Sequence, residues 1–494
     1  MKMRRLPKFL IKLSLTVLFL AAHPLYAQIT PAQVWQDWQN RAAAEEGVTL
    51  LGNVAQTGGQ DLDVRNLVLR FEQPQFVLTL DLGQMALRQA GEEVLLTLSD
   101  QDQLTLRLTP EEGAPPTTIE GVFQHPNFSQ KISRKGGETL YLTTAPELDF
   151  DLLSINDMDV AALAGRLAFK ARDLTATHLD NSHNNGAQST FLSISDLAVA
   201  AKLTVFESQS HMNYLVNMTD VIGTTNQTQE QQDWQFNLSG AQSQFEGIDQ
   251  GQSFQMKTSS DAGSMSLRSD GRNLWILGEN GPQETTITLE GMPFAVATYR
   301  ADRSNFNLNW PFTPAPTPQE FALGLGIQGI TLSPELWELV DPKMSLPRDP
   351  MGVNIDFGGR VLVTSDLSDS VARDASLQSQ ALPFALRDIE LRDLSIAALG
   401  ATATASGSLS FDADPSAEIA VQTVPKEGVI TADFYGVNAM FDALLAAQLI
   451  PQDGEMGLRM MMGLFLRPAA GDDHLTANVD FGNRGLAING MQIK

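Results

Sequence analysis

The chain has no cysteine in 494 residues, few aromatics beyond its 24 phenylalanines, and only 33 basic residues against 58 acidic ones. Without cysteine there is no disulfide frame, no thiolate metal site and no acylated lipoprotein cysteine, so stability must come from buried area. The shortage of cations disfavours nucleic acid and anionic lipid headgroups as partners. Long apolar runs are also missing. The longest, Leu13 to Ala22, is about half of the ~20 residues that a membrane-spanning helix needs.

That run follows five cations (Lys2, Arg4, Arg5, Lys8, Lys12) and precedes small residues, the pattern of a secretory signal peptide over 1–27 cleaved after Ala27. The expected mature chain starts at Gln28, carries 28 basic and 58 acidic residues, and has a formal charge of −30. No transmembrane anchor is expected after signal cleavage. At 467 residues it exceeds a usual single core of roughly 250–300, so two or more domains or one elongated sheet are expected.

From about Val48 onward the residues alternate with a period of two. "QLTLRLT" places Leu104, Leu106 and Leu108 on one face, and "ATATASGSLSF" sets Ala401, Ala403, Ala405, Leu409 and Phe411 opposite hydroxyl residues. Strands with one apolar and one polar face belong to antiparallel sheets wet on one side, and frequent Gly, Asn and Asp turns favour meanders. The fold class expected is mainly β: long antiparallel curved sheets with a few helices. The helices are a short one at Pro31–Gly47, another near 333–341 in "SPELWELVD", and a C-terminal hairpin over 436–466. In that hairpin Val437, Met440, Phe441, Leu444 and Leu445 form one apolar stripe; Leu458, Met461, Met462 and Phe465 form the other, which suits core packing. Four prolines in Pro311 to Pro318 mark either a boundary between β-rich regions 28–310 and 311–494 or a long loop.

The motifs that carry chemistry are weak. "GLGIQG", Gly324 to Gly329, has the letters of a dinucleotide loop but continues into strand residues "ITLS" rather than a helix, so no nucleotide site is expected. His178, Asp180 and His183 are metal-ligand types, yet "NNG" follows and the spacing matches no familiar zinc pattern; a solvated loop is the expected setting. Asp149, Asp151, Asp157 and Asp159 lack a glycine-turned calcium loop and read as lining a wet face. No G-x-S-x-G and no cysteine nucleophile occur, so no catalytic residue, metal or cofactor is assigned, and enzymatic activity is left open.

The densest local signal is "DPKMSLPRDP", Asp341 to Pro350. Ser333 can cap the preceding helix, Pro334 opens it and Pro342 ends it. Pro347 fixes its own φ, and Pro350 holds Asp349 extended, so the chain enters the strand "VNIDFGGRVLV" in a set direction. Arg348 lies between Asp341 and Asp349 and suits a structural ion pair or an acidic ligand.

"LWELVDPKMSLPRDP", the later "GLRMMMGLFLRP" and the terminal "GLAING" together resemble the alphaproteobacterial domain-of-unknown-function 2125 family. Trp337, Asp341, Pro342, Leu346, Pro347, Arg348, Asp349 and Pro350 match its central motif, with Met351-Gly352 departing from the alanine expected next. The resemblance implies an exported protein of a Gram-negative envelope with no defined activity. "LRDIELRDLSIAALGATATASGSLSFD" is also similar to repeats of AsmA-like periplasmic proteins, whose long curved sheets carry a lipid-lined groove. The functional expectation is therefore a periplasmic protein that binds a lipid, another apolar ligand or an envelope partner along a sheet. An assembly factor docking through its helix hairpin is the alternative, and an envelope hydrolase the third.

Overall fold

In the computed structural model the period-two segments become strands, and the protein is mainly β with antiparallel pairing. Residues 29–493 are described, apart from 74–75, 109–114, 136, 157, 161–164, 182–186, 206–209, 229, 250, 292–293, 295, 368–382, 412–424 and 483–484. The expected signal segment with its Ala27–Gln28 junction, Asp157, His183 and the turn that the sequence predicts at Asn483-Arg484 lie outside the described residues, as does the side chain of Asp159. Among the described residues no helix is long and apolar enough to cross a membrane.

The described residues divide into two compact units, 29–262 with 289–291, and 263–288 with the described residues after 292. This division falls well before Pro311. The proline-rich run instead joins strands Arg303–Pro311 and Gln319–Leu332, which pair from Arg303↔Gln328 to Asn309↔Ala322. It is a loop because proline cannot supply a ladder N–H, and the ladder stops where the prolines start.

The N-terminal unit opens with helix α1, Pro31–Ala44. Thr30 Oγ1 accepts the Gln33 N–H at 3.3 Å while Gln33 Oε1 accepts the Thr30 N–H at 2.9 Å, a reciprocal cap with Pro31 in the first turn. Val34, Trp35, Trp38 and Ala42 form its buried face. Val34, Trp35 and Trp38 join Val64, Leu67, Met85, Leu87, Val94, Ile132 and Tyr141 in one core cluster. Gly52 is needed below: a Cβ there would meet the Trp35 ring at 3.1 Å.

Long strands then alternate with pairs of short strands set end to end. Glu138–Ile155 pairs with Ser129–Lys135 over one half and Thr117–Gln124 over the other, then with Arg166–Asn181 along its other edge. Ala187–Val205 and Ser210–Gln227 follow in register. Asp173 and Asp220 break the alternation with φ of 50° and 48°. Such a left-handed residue turns the following side chains to the other side. Phe169 and Ala171 before Asp173, and Leu174 and Ala176 after it, consequently share one hydrophobic cluster. Ser195 Oγ donates to Asp173 at 3.2 Å and Ser239 Oγ to Asp220 at 2.8 Å, which holds both switches.

In the C-terminal unit, strands follow in chain order from Gln319–Leu332 through Met351–Val363, Phe384–Ala398, Ala401–Phe411 and Pro425–Tyr435 to His474–Gly482, each paired with the next. Helix α2, Pro334–Val340, packs on strand Ala297–Ala301. Ser333 does not cap it; its Oγ accepts the Thr298 N–H at 3.1 Å and so ties the helix start to that strand. Helices α3, Val437–Ala446, and α4, Gln452–Phe465, form the C-terminal pair.

Candidate functional site

Three places concentrate residues that the sequence singles out, and the first is the proline-rich corner. Asp341 is fully buried, with Oδ1 accepting the Ser345 N–H at 2.9 Å and Oδ2 the Leu346 N–H at 2.8 Å. Burial pushes its carboxyl upward, but those two N–H groups and the Arg348 charge outweigh it, and its pKa lies below the usual carboxylate range. The turn it closes puts Met344 at φ 53°. Leu346 and Trp337 are buried, and the Arg348 guanidinium lies over the Trp337 ring at 5.4 Å. Arg348 thus serves as a cation on an aromatic face. Pro347 lies under the turn at Gly400, whose φ is 76° and where a Cβ would meet Pro347 Cγ at 3.1 Å. Gly436, φ 72°, approaches Gly400 in turn, and Lys343 Nζ donates to Gln448 Oε1 at 2.7 Å. Pro342, Asp349 and Pro350 are exposed.

These contacts make the corner a junction between α2, the Gly400 hairpin and the α3–α4 turn. Pro347→Ala with Pro350→Ala is expected to cost about 1–2 kcal/mol through the unfolded chain. Arg348→Ala, which removes one exposed cation–π contact, should cost about 0.5–1 kcal/mol. Urea midpoints of the two variants check the order; a larger loss from Arg348→Ala would reverse the roles.

The second place is the set of metal-type residues. His178 and Asp180 sit on strand Arg166–Asn181, buried, rather than in a solvated loop. The reason is the phase switch at Asp173, which aims both at the core side. Asp180 pairs with Arg41 of α1, and His178 Nδ1 lies 2.9 Å from Thr190 Oγ1. Burial lowers the His178 pKa to about 4; the Asp180 charge raises it and the Arg41 charge lowers it further. Asp149 is likewise buried rather than on a wet face, held by Lys170 at 2.5 Å and Arg172 at 3.0 Å. Asp151 pairs with Arg166 at 3.5 Å. Among the described residues no group of three or more His, Asp or Glu can hold a metal ion. Asp149 and Asp151 are committed to cations of the same sheet, and Asp180 to Arg41 of α1.

A buried pair missed at the sequence level is His125–Asp102, Nε2 to Oδ2 2.6 Å. Burial lowers the His125 pKa, but the bond and charge of Asp102 raise it more. Twenty-three residues separate the two, and only strand pairing between Gln101–Leu108 and Thr117–Gln124 brings them together.

The third place is the apolar face of the C-terminal sheet. Register places Ile276, Leu308, Leu323, Phe357, Leu391, Gly407, Ile430, Val479 and Ile488 in one row across nine strands. The neighbouring row on that face runs Phe306, Leu325, Ile355, Leu394, Ala405, Ala432 and Ala477. At the ~4.8 Å spacing of strands the first row is roughly 38 Å long. Its side chains are half-buried, and Leu325 is 53% exposed, as expected where a sheet face is left without a second packed layer. An aromatic cluster closes one end of the strands: Trp310 lies 5.4 Å from Phe321 and 5.5 Å, edge-on, from Phe384. The corner and α3 gather at the other end.

The opposite face is mostly polar, with Trp275, Leu277 and Val429 as apolar exceptions. Gly324 and Gly326 belong to it, because the side chains of Asn307, Asn305 and Asn354 occupy the space where their Cβ atoms would be. "GLGIQG" is thus strand Gln319–Leu332, with its glycines making room for an asparagine ladder. No protein-family model, curated protein or solved structure matches this chain.

Proposed function

We propose that this chain is an exported periplasmic protein that binds a lipid acyl chain or similar apolar ligand along the C-terminal sheet face. One observation carries the reading: an apolar row across nine strands, interrupted only by Gly407, whose side chains stay half-exposed. A water-facing lane of this length is unfavourable by about 25 cal/mol for each Å² of apolar surface, and a bound hydrocarbon removes that cost. The lane is longer than the roughly 15 Å that one leaflet of a 30 Å hydrocarbon core spans, so extended chains fit it better than compact ligands. The resemblance to AsmA-like sheets and the signal-like first 27 residues point the same way.

Native protein, extracted from a periplasmic fraction and analysed by mass spectrometry, is expected to begin at Gln28 and to carry lipid. Leu325→Glu with Ile396→Glu, both at exposed positions of the face, should remove most of that lipid without unfolding the sheet. Wild-type protein free of lipid, or a double variant that retains all of it, would count against the reading.

A further inference from the structure

Helices α3 and α4 have little apolar hold on their unit. Among the described residues of the pair only Val437 is buried, and Met461, which spacing assigns to a core, is exposed. A segment with so few buried apolar contacts opens at low free-energy cost, so the polar contacts at its ends decide whether it stays in place. The start of α3 is capped from outside. Gly436 stands at its N-cap position and has no side chain to offer. Asp473, from beyond α4, takes that role: Oδ1 accepts the Asn438 N–H at 3.2 Å and the Asn438 side-chain amide at 2.7 Å, Oδ2 accepts the Ala439 N–H at 3.0 Å, and the Asp473 carbonyl accepts the Gly436 N–H at 2.9 Å. Asp473 does so with φ at 44°, a left-handed value that its surroundings must hold.

The loop Ala469–His474 holds it. The loop is closed by the Ala469 N–H on the His474 carbonyl at 2.9 Å and by the His474 ring. Ring atom Nδ1 lies 2.9 Å from the Ala470 carbonyl oxygen and Nε2 lies 2.8 Å from Asp433 Oδ1, while Tyr435 stacks on the ring at 4.2 Å. A carbonyl and a carboxylate only accept. Both ring nitrogens therefore have to donate, which a neutral imidazole cannot do.

We propose that His474 is a proton-operated clip, which holds the α3–α4 pair in place when charged and releases it when neutral. Loss of the proton turns one ring nitrogen's lone pair toward an acceptor, so one of the two bonds breaks, the loop slackens and Asp473 leaves the α3 start. The charged and titratable groups around the ring are Asp433 and Tyr435 on strand Pro425–Tyr435, Asp472 and Asp473 in the loop, Arg467 before it and Arg459 on α4. Both arginines are engaged elsewhere: Arg459 with Asn438, Asp442 and Glu455, and Arg467 with the Asn489 carbonyl. Burial pushes the Asp473 carboxyl up, but its Ala439 and Asn438 donors and the Arg459 charge bring it below the ordinary range, so the cap itself stays ionised. The Ala470 carbonyl first and the Asp433 bond second raise the His474 pKa above its ordinary 6.5; burial opposes them and the Asp433 charge adds to them. The clip is therefore fully closed below pH 6.5 and opens as pH rises through the folded value.

The test is hydrogen exchange of the whole chain at a series of pH values from 6 to 9, with protection expressed relative to the intrinsic rate at each pH, alongside His474→Gln and Asp433→Asn. NMR of ring-labelled histidine on the same samples gives the His474 titration midpoint. Protection of Asn438, Ala439 and the rest of α3 is expected to fall at that midpoint, by about tenfold for each unit by which the folded midpoint exceeds that of the unfolded chain. Asp433→Asn should move the midpoint and the fall in protection to lower pH together. His474→Gln should show weak protection of α3 at every pH while strand Met351–Val363 of the same unit stays protected, which separates release of the clip from failure to fold. The proposal is overturned if α3 protection in wild type does not change with pH, if it falls equally in His474→Gln, if that variant protects α3 as well as wild type does at pH 6, or if His474 titrates at or below 6.5.

Discussion

Replacing Trp35 with alanine is expected to lower the unfolding free energy by about 3–5 kcal/mol, the range for a large aromatic removed from a packed core. Trp35 is 5% exposed, on a helix whose only large apolar face is turned to the sheet, and it fills the space that Gly52 leaves open. The cavity cannot collapse easily, because Val64 and Leu87 beneath it belong to paired strands. Urea unfolding of the N-terminal unit, followed by tryptophan fluorescence with Trp38 as the remaining reporter on α1, measures the effect. A loss below about 1 kcal/mol would mean that α1 contributes little to this unit.

The second large effect is a stability that depends on pH through His178. Burial holds its folded pKa at about 4 against 6.5 in the unfolded chain. The folded state therefore binds fewer protons between those values, so stability is fully present above pH 6.5 and declines as pH falls toward 4. A shift of that size corresponds to about 3 kcal/mol over the window. His178→Asn keeps a partner for Thr190 and removes the titration, so its urea midpoint should change less than wild type between pH 7 and pH 4.5. Carboxylates contribute equally to both proteins, and the difference isolates the histidine. Parallel curves would show that His178 titrates normally in the fold.

Much of the architecture is legible in local pattern. A period of two, punctuated by glycine and asparagine, leads to antiparallel strands; Thr30, Pro31 and Gln33 start α1; Pro451 marks the break between α3 and α4, while Gly454 lies inside α4. The strand character of "GLGIQG" follows from "ITLS" alone. Where local reading fails, a nonlocal cause can be named. His178 and Asp180 look like loop ligands because "NSHNNG" follows them, yet Asp173 has already shifted their strand's phase by one side. Met461 fits a core stripe by spacing yet is exposed, while Met462 is half-buried; spacing does not say which side of a helix faces inward, and Arg459 of α4 turns toward α3 through Asn438 and Asp442.

Composition and periodicity by themselves determined that this is an acidic, disulfide-free β protein with a stiff corner at Asp341 to Pro350, because those properties reside in single residues and their nearest neighbours. Tertiary structure alone decided what the corner touches, that His125 meets Asp102, that Asp149 is neutralised by Lys170 and Arg172, and that nine separate strands align their apolar residues into one exposed lane. Each of those depends on register between segments tens to hundreds of residues apart. In a sheet, one residue of slip moves every side chain to the other face, so register can only be read once the strands are paired.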